Sequence, residues 1–286
     1  MLQRLRYYSE LIKLEHTIFA LPFALASIVI LMEKPPGLTK IFLILLALVL
    51  ARSAGMLFNR FLDKNFDAKN PRTMSWPHAR GLVKDWEIKL LIALSVSAFI
   101  LISMFINTLA LLLSPFVVLL LFIYPLAKRF TYYPHLVLGL VYFLIPIAVD
   151  VALNEAISKT SLLLGIAMAF WVSGFDILYS LQDYEFDLRM GLKSIPVRFG
   201  IKGALRLARF FHLITFFALL GVGLSYTKAG IIYFLGLSGI TLFLIYEHRL
   251  ISERDLSKIN KAFFTINGFI SILFFIVVLL DRILPL

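Results

Sequence analysis

Four aspartates fall into two pairs with the same four-residue spacing, Asp63 with Asp67 and Asp183 with Asp187. Residues four apart on a helix lie one above the other, so Asn59, Asp63 and Asp67 would form a polar stripe over two turns. Asp176, seven positions before Asp183, extends the second stripe on the same side. Like charges at this spacing destabilise a helix by roughly 0.3 kcal/mol, so something cationic must reward them. A hard divalent ion that keeps several waters and bridges phosphate oxygens suits one or two carboxylates. A solvated, salt-bridged helix face would explain one such cluster. Two matched clusters at the ends of apolar runs point instead to function, because ionisable groups near a membrane are costly.

Cations accompany the carboxylates. Tyr124, Lys128 and Arg129 close an apolar run, and paired cations there suit a diphosphate as well as they suit a plain positively charged flank. Arg72, Lys193 and Arg198 stand near the acidic groups in sequence and either hold phosphate or balance the carboxylates. Arg52 is the one basic residue well inside an apolar run, and it shares a helix face with Asn59 seven positions on. A guanidinium there needs an anionic partner or a polar cavity. The carboxylate of an aromatic acid and a structural pair with Asp176 are both open readings. Tyr179 and Phe66 either line the path of a carbocation or pack.

The elements that must position these residues are membrane spans. The 286 residues are 60% hydrophobic and 16% charged, with a mean hydropathy of +0.91. A soluble domain is closer to half apolar and a quarter charged. About 20 apolar residues cross a bilayer, and nine candidates are read at 17–33, 40–58, 88–107, 109–123, 135–153, 161–178, 208–226, 229–246 and 262–284. Only Asn107 and Thr108 divide the third from the fourth. Of the 28 Lys and Arg, 22 fall in one alternating set of loops and five in the other, with Arg52 left inside a span. That bias places the N-terminus and the polar segments 59–87 and 179–207 on the cytoplasmic side. The fold class is therefore all-α, a polytopic bundle of nine spans around a central cavity, in a single domain over 1–286. It belongs in a lipid bilayer, with the prokaryotic cytoplasmic membrane as its expected home. The net charge of +11 follows the topology and implies no nucleic acid. The first apolar run reads as a retained helix, not a cleaved signal. With no cysteine and five dispersed histidines, thiolate chemistry is excluded and a zinc or haem site is not expected.

These segments resemble the UbiA superfamily of intramembrane prenyltransferases. Asn59 to Thr73 matches N-R-x-x-D-x-x-x-D-x-x-N-x-R-T at every fixed position. Asp176 to Asp187 matches D-x-x-Y-x-x-Q-D-x-x-x-D, and Tyr124 to Lys128 fits Y-x-x-x-K. His16 to Ala24 and Gly191 to Gly200 look like the 4-hydroxybenzoate polyprenyltransferases and related naphthoate prenyltransferases of menaquinone synthesis. One departure is local: relatives carry a further basic residue after Arg72-Thr73, where this chain has Ser75-Trp76-Pro77-His78.

The resemblance implies Mg²⁺ on Asp63, Asp67, Asp183 and Asp187 against a polyprenyl diphosphate, with Lys128, Arg72 and Arg129 on the leaving group. The allylic cation would then alkylate an aromatic acid ortho to its hydroxyl. Asp176 is either the base for the ring proton or the holder of Asn59 and the phenol. Haem, chlorophyllide and glycerol phosphate are rival acceptors, and Arg52 makes sense for a carboxylated aromatic acceptor and is harder to justify for haem. An ion-coupled transporter is the rival class, but transport sites lie near the bilayer midplane, and these carboxylates lie at span ends.

Overall fold

A computed structural model describes residues 2–13, 17–226 and 229–284. His16, the first residue of one family-like stretch, lies outside them. Twelve α-helices carry the chain: α1 Leu2–Ile12, α2 Thr17–Leu31, α3 Leu38–Asp67, α4 Asp85–Ile106, α5 Thr108–Ile123, α6 Ala127–Phe130, α7 Pro134–Asn154, α8 Lys159–Ser180, α9 Tyr184–Met190, α10 Ile195–Ser225, α11 Ile231–Leu250 and α12 Asn267–Ile283. Short 3₁₀ turns join α5 to α6 and α8 to α9, and a π-helical turn, Lys261–Ile266, opens α12. No strand occurs among the described residues.

Eight of these helical runs are long and apolar enough to cross a membrane. The remaining candidate, at 17–33, is α2, whose 15 residues include Pro22. At 1.5 Å per residue α2 reaches about 22 Å, less than the hydrocarbon thickness. Its flank is nonetheless packed into the bundle, with Phe23 against Trp171 and Phe274 at ring separations of 6.0 and 5.0 Å.

The boundary drawn at Asn107 is real. Its backbone is extended, its side chain accepts from the Ala110 N–H at 2.8 Å, and its amide donates to the Val151 carbonyl at 2.8 Å. One asparagine thus ends α4, caps α5 and ties both to α7. The fourth run continues through the Tyr124–Leu126 turn into α6, which makes it 23 residues long and able to span.

Two elements run further than hydropathy suggested: α3 by continuous helix past the lipid boundary, and α10 by a first helical segment joined to its apolar part across a kink at Gly200 (φ 68°). The 30 residues of α3 span about 45 Å, so its last turns carry the acidic stripe beyond the apolar part of the helix. α10 begins at Ile195, capped by the Ser194 hydroxyl on the Val197 N–H, well before the apolar run at 208. The second acidic stripe, in contrast, is not one helix. α8 stops at Ser180, Leu181–Asp183 forms a 3₁₀ turn, and Asp187 lies in α9.

α7 and α8 pack closely through small residues, as membrane helices do. A Cβ added at Gly139 would come within 2.2 Å of Ser173 Oγ and 2.7 Å of the Ala169 carbonyl. Ser173 in turn donates to the His135 carbonyl at 2.9 Å. Gly139→Ala is therefore expected to lower stability by about 1–3 kcal/mol, as overpacking does. A melting point in detergent indistinguishable from wild type would refute this account of the α7–α8 contact.

Candidate active site

α3, α5, α7 and α8, together with the π-helical turn, enclose a cavity of about 670 Å³. Its polar end is made by the acidic segments, and its remainder by apolar side chains such as Ala47, Leu48, Val117 and Ile145. Asp63, Asp67, Asp183 and Asp187 all line this one space, as do Asn59 and Asp176. The two acidic segments, more than a hundred residues apart in the chain, face each other.

Each of three carboxylates is held by basic side chains. Asp63 is buried, accepts from Asn59 Nδ2 at 3.0 Å, and lies 2.7 Å from Lys128 Nζ and 3.4 Å from Arg129 Nη2. Asp67 meets His78 Nε2 at 2.8 Å and Arg60 Nη1 at 3.9 Å. Asp183 is forked by Arg72, from Nε at 2.9 Å and Nη2 at 2.5 Å, and accepts from Asn70 Nδ2 at 2.8 Å. This bidentate pair crosses directly from the first motif to the second. Burial works against the Arg72 charge, but the hydrogen bond and charge of Asp183 outweigh it and hold the guanidinium above its ordinary range. At His78 burial prevails over the nearby Asp67, so the imidazole sits below its usual value.

The remaining residues singled out in the sequence divide by position. Arg52, Arg72, Tyr124, Lys128 and Tyr179 line the cavity. Arg129 reaches Asp63 and the Leu62 carbonyl from outside the lining, and Arg198 lies over the rings of Tyr132 and Tyr133. Tyr179 stacks on Phe263 at 4.0 Å, and its hydroxyl accepts from Arg72 Nη1 at 3.2 Å. Phe66 lies under Lys128 and Arg129. Arg52 does not pair with Asp176. It donates to the Tyr142 hydroxyl at 2.8 Å, while its buried Nε has no partner. Asp176 is joined to His135 instead, at 2.8 Å.

Several contacts of the site could not be read from the sequence, although some of their residues stand in its motifs. Arg60 lies 4.0 Å from the Trp76 ring centroid, and Lys13 and Arg72 approach the same indole at 5.2 and 5.6 Å. The departure at Ser75 to His78 thus supplies an aromatic platform and an imidazole beside the first acidic stripe.

The donor set is four carboxylates with no sulfur, which fits a hard oxygen-seeking cation. Among the described residues, no three His, Asp or Glu side chains stand together closely enough to enclose an ion as they lie. The cations now on Asp63, Asp67 and Asp183 occupy the oxygens an ion would take.

Residues 20–273 match the UbiA prenyltransferase family. The chain belongs to that family. It is accordingly a membrane-embedded prenyltransferase. Among curated relatives, the 4-hydroxybenzoate octaprenyltransferase of Pseudoalteromonas translucida (strain TAC 125) is 36% identical over 84% of this chain and 82% of its own length. The apo structure of a UbiA homolog from Aeropyrum pernix K1 superposes with a TM-score of 0.84 at 32% identity, over 93% of this chain and 98% of that one. A UbiA homolog from Archaeoglobus fulgidus, bound to DMAPP and Mg²⁺, shares the fold at a TM-score of 0.76 and 18% identity, over 97% and 99%.

Proposed function

We propose that this UbiA-family enzyme moves a polyprenyl group from its diphosphate to a carboxylated aromatic acceptor in quinone biosynthesis. The bond forms at the ring carbon ortho to the acceptor's hydroxyl. The acceptor is 4-hydroxybenzoate or a related dihydroxynaphthoate. The observation that carries the reading is Arg52, a guanidinium inside an apolar span that opens on the cavity with one buried N–H unsatisfied. It lies about two helical turns from Asn59 and about three to four from Asp63 and Asp67, so an aromatic acid bound by Arg52 would present its hydroxyl at Asn59, on the side of the acidic end. The name of the Pseudoalteromonas relative supports this choice of acceptor.

Asp63, Asp67, Asp183 and Asp187 are the residues that would hold Mg²⁺, a use supported by the ligands of the Archaeoglobus homolog. When bound, the ion supplies neutralisation of charge growing on the departing diphosphate. Around it, Lys128 and Arg72 are placed to exchange their carboxylate partners for phosphate oxygens, with Arg129 behind Asp63. Tyr124, Tyr179 and the Phe263 ring wall the space where the allylic cation would form and keep water from it. The prenyl tail stays in hydrocarbon, since each CH₂ drawn into water costs about 0.8 kcal/mol. Nine spans, with α2 as the ninth, would place the N-terminus and the acidic end of the cavity in the cytoplasm.

Purified enzyme with geranyl diphosphate, Mg²⁺ and either 4-hydroxybenzoate or a dihydroxynaphthoate is expected to yield the C-prenylated acid. Product only with a non-carboxylated acceptor overturns the reading. Arg52→Ala is expected to raise the acceptor KM by about 10²-fold, the loss of a charge-assisted pair, and to move the diphosphate KM little. Equal rises in both constants would assign Arg52 a structural role.

A further inference from the structure

His135 has no assigned task in the reaction so far described, yet its setting is that of a base. It is the second residue of α7, buried, and its Nδ1 lies 2.8 Å from Asp176 Oδ2 on α8. An ionised carboxylate can only accept, so Nδ1 carries a proton, and in the neutral imidazole that leaves the Nε2 lone pair free. Nε2 lies 3.5 Å from Ser180 Oγ, whose hydrogen goes to the Ile177 carbonyl at 2.8 Å. His135 and Asp176 both line the cavity.

The register of α3 against α7 shows where His135 stands. Lys40 reaches the Leu153 carbonyl and Arg52 the Tyr142 hydroxyl, so the two helices run antiparallel. Seven residues from Arg52 lead to Asn59, and seven residues back from Tyr142 lead to His135. Asn59 and His135 therefore stand at matching positions on the two helices, about 10 Å along from the Arg52–Tyr142 pair. An aromatic acid with its carboxylate at that pair would have its hydroxyl and ortho carbons near the level of Asn59 and His135.

We propose that His135 is the general base of the prenyl transfer, with Asp176 as the positioning residue that fixes its tautomer. The proposal rests on the aromatic-acceptor reading above. Ring π electrons form the new bond to C1 of the allylic cation, leaving one ring carbon with both the prenyl group and its hydrogen. Nε2 takes that hydrogen as a proton, and the C–H electron pair returns to the ring. The imidazolium, opposed by Asp176, then gives its proton to water.

The test compares unlabelled and ring-deuterated 4-hydroxybenzoate, with geranyl diphosphate and Mg²⁺, in wild type, His135→Gln, His135→Ala and Asp176→Asn. Loss of a general base costs about 10²-fold or more, so both His135 variants are expected to lose about that much kcat while the acceptor KM stays within about twofold. Proton removal should become rate-limiting, giving a primary isotope effect larger than in wild type. Added imidazole should restore part of the His135→Ala rate. Asp176→Asn should lose at least about tenfold and show the same isotope effect, and a wild-type rate in that variant overturns the pairing even where the His135 variants fail to fold. A His135 variant with kcat within about twofold of wild type, or a slow one with neither isotope effect nor imidazole rescue, overturns the base assignment. Wild type that fails to prenylate the acid overturns the acceptor reading, a result separate from any difference among variants.

Discussion

Asp183→Asn is expected to lower turnover by about 10³-fold or more while leaving a folded protein. A ligand to a bound cation contributes several kcal/mol of charge stabilisation, and about 4 kcal/mol corresponds to that factor. Asparagine is the informative substitution because of what surrounds the carboxylate. Arg72 forks both oxygens and Asn70 donates to one, so Asp183→Ala would strand a half-buried guanidinium and an amide together. Leaving such donors unsatisfied costs about 1–3 kcal/mol each, and a dead alanine variant could owe its inactivity to that alone. The amide oxygen of asparagine keeps an acceptor for Arg72 Nε and Asn70, and sets its NH₂ against Arg72 Nη2, so it removes the charge and one hydrogen bond rather than all three. Turnover with geranyl diphosphate and Mg²⁺, read beside a melting curve in detergent, separates the two effects. Asp183→Asn retaining a tenth of the wild-type rate would remove this carboxylate from the cation site. Asp63→Asn should behave alike, with Lys128 and Asn59 keeping the amide in place.

What could be read from the sequence follows from how local each cause is. Asn59, Asp63 and Asp67 were legible as a stripe because α3 stays helical through all three, so spacing alone fixes their common face. The second stripe was legible as a group but not in shape, since the 3₁₀ turn at Leu181–Asp183 changes the angle between Asp176 and Asp183. No propensity in Ser180-Leu181-Gln182 announces that turn. Arg52 stood out because a guanidinium in an apolar run is costly wherever it points. Its partner Tyr142 lies 90 residues away and belongs to the packing of α3 on α7. His135 and Asp176, 41 residues apart, were each visible and unconnected. Trp76 and His78 were noticed only as a departure from the family pattern. Their contacts with Arg60 and Asp67 depend on the path of the turns between α3 and α4, which no periodic pattern encodes.

Arg72 offers the sharpest test of how the site receives its substrate, because its two possible roles predict opposite signs. As a mere counter-ion for Asp183, it competes with the metal for the same oxygens. Arg72→Ala would then tighten Mg²⁺ binding, lower the Mg²⁺ concentration needed for half-maximal rate, and spare turnover. As a phosphate ligand, it leaves Asp183 when the diphosphate arrives and turns its planar fork onto the leaving group. Arg72→Ala would then cut kcat/KM for geranyl diphosphate by about 10²–10³-fold, the loss seen when a donor to developing negative charge is removed. The geometry favours the second sign. The guanidinium already lies within hydrogen-bond reach of Tyr179, 5.6 Å from the Trp76 ring and in the wall of the cavity, so it needs only to release one carboxylate to face the diphosphate. Arg72→Lys keeps the charge but not the fork, and is expected to recover no more than about a tenth of the lost rate. The acceptor KM should be unmoved in both variants, since Arg52 stands about three turns deeper along α3 than Asp63. An Arg72→Ala enzyme with undiminished kcat/KM and a lower Mg²⁺ requirement would return Arg72 to the role of counter-ion.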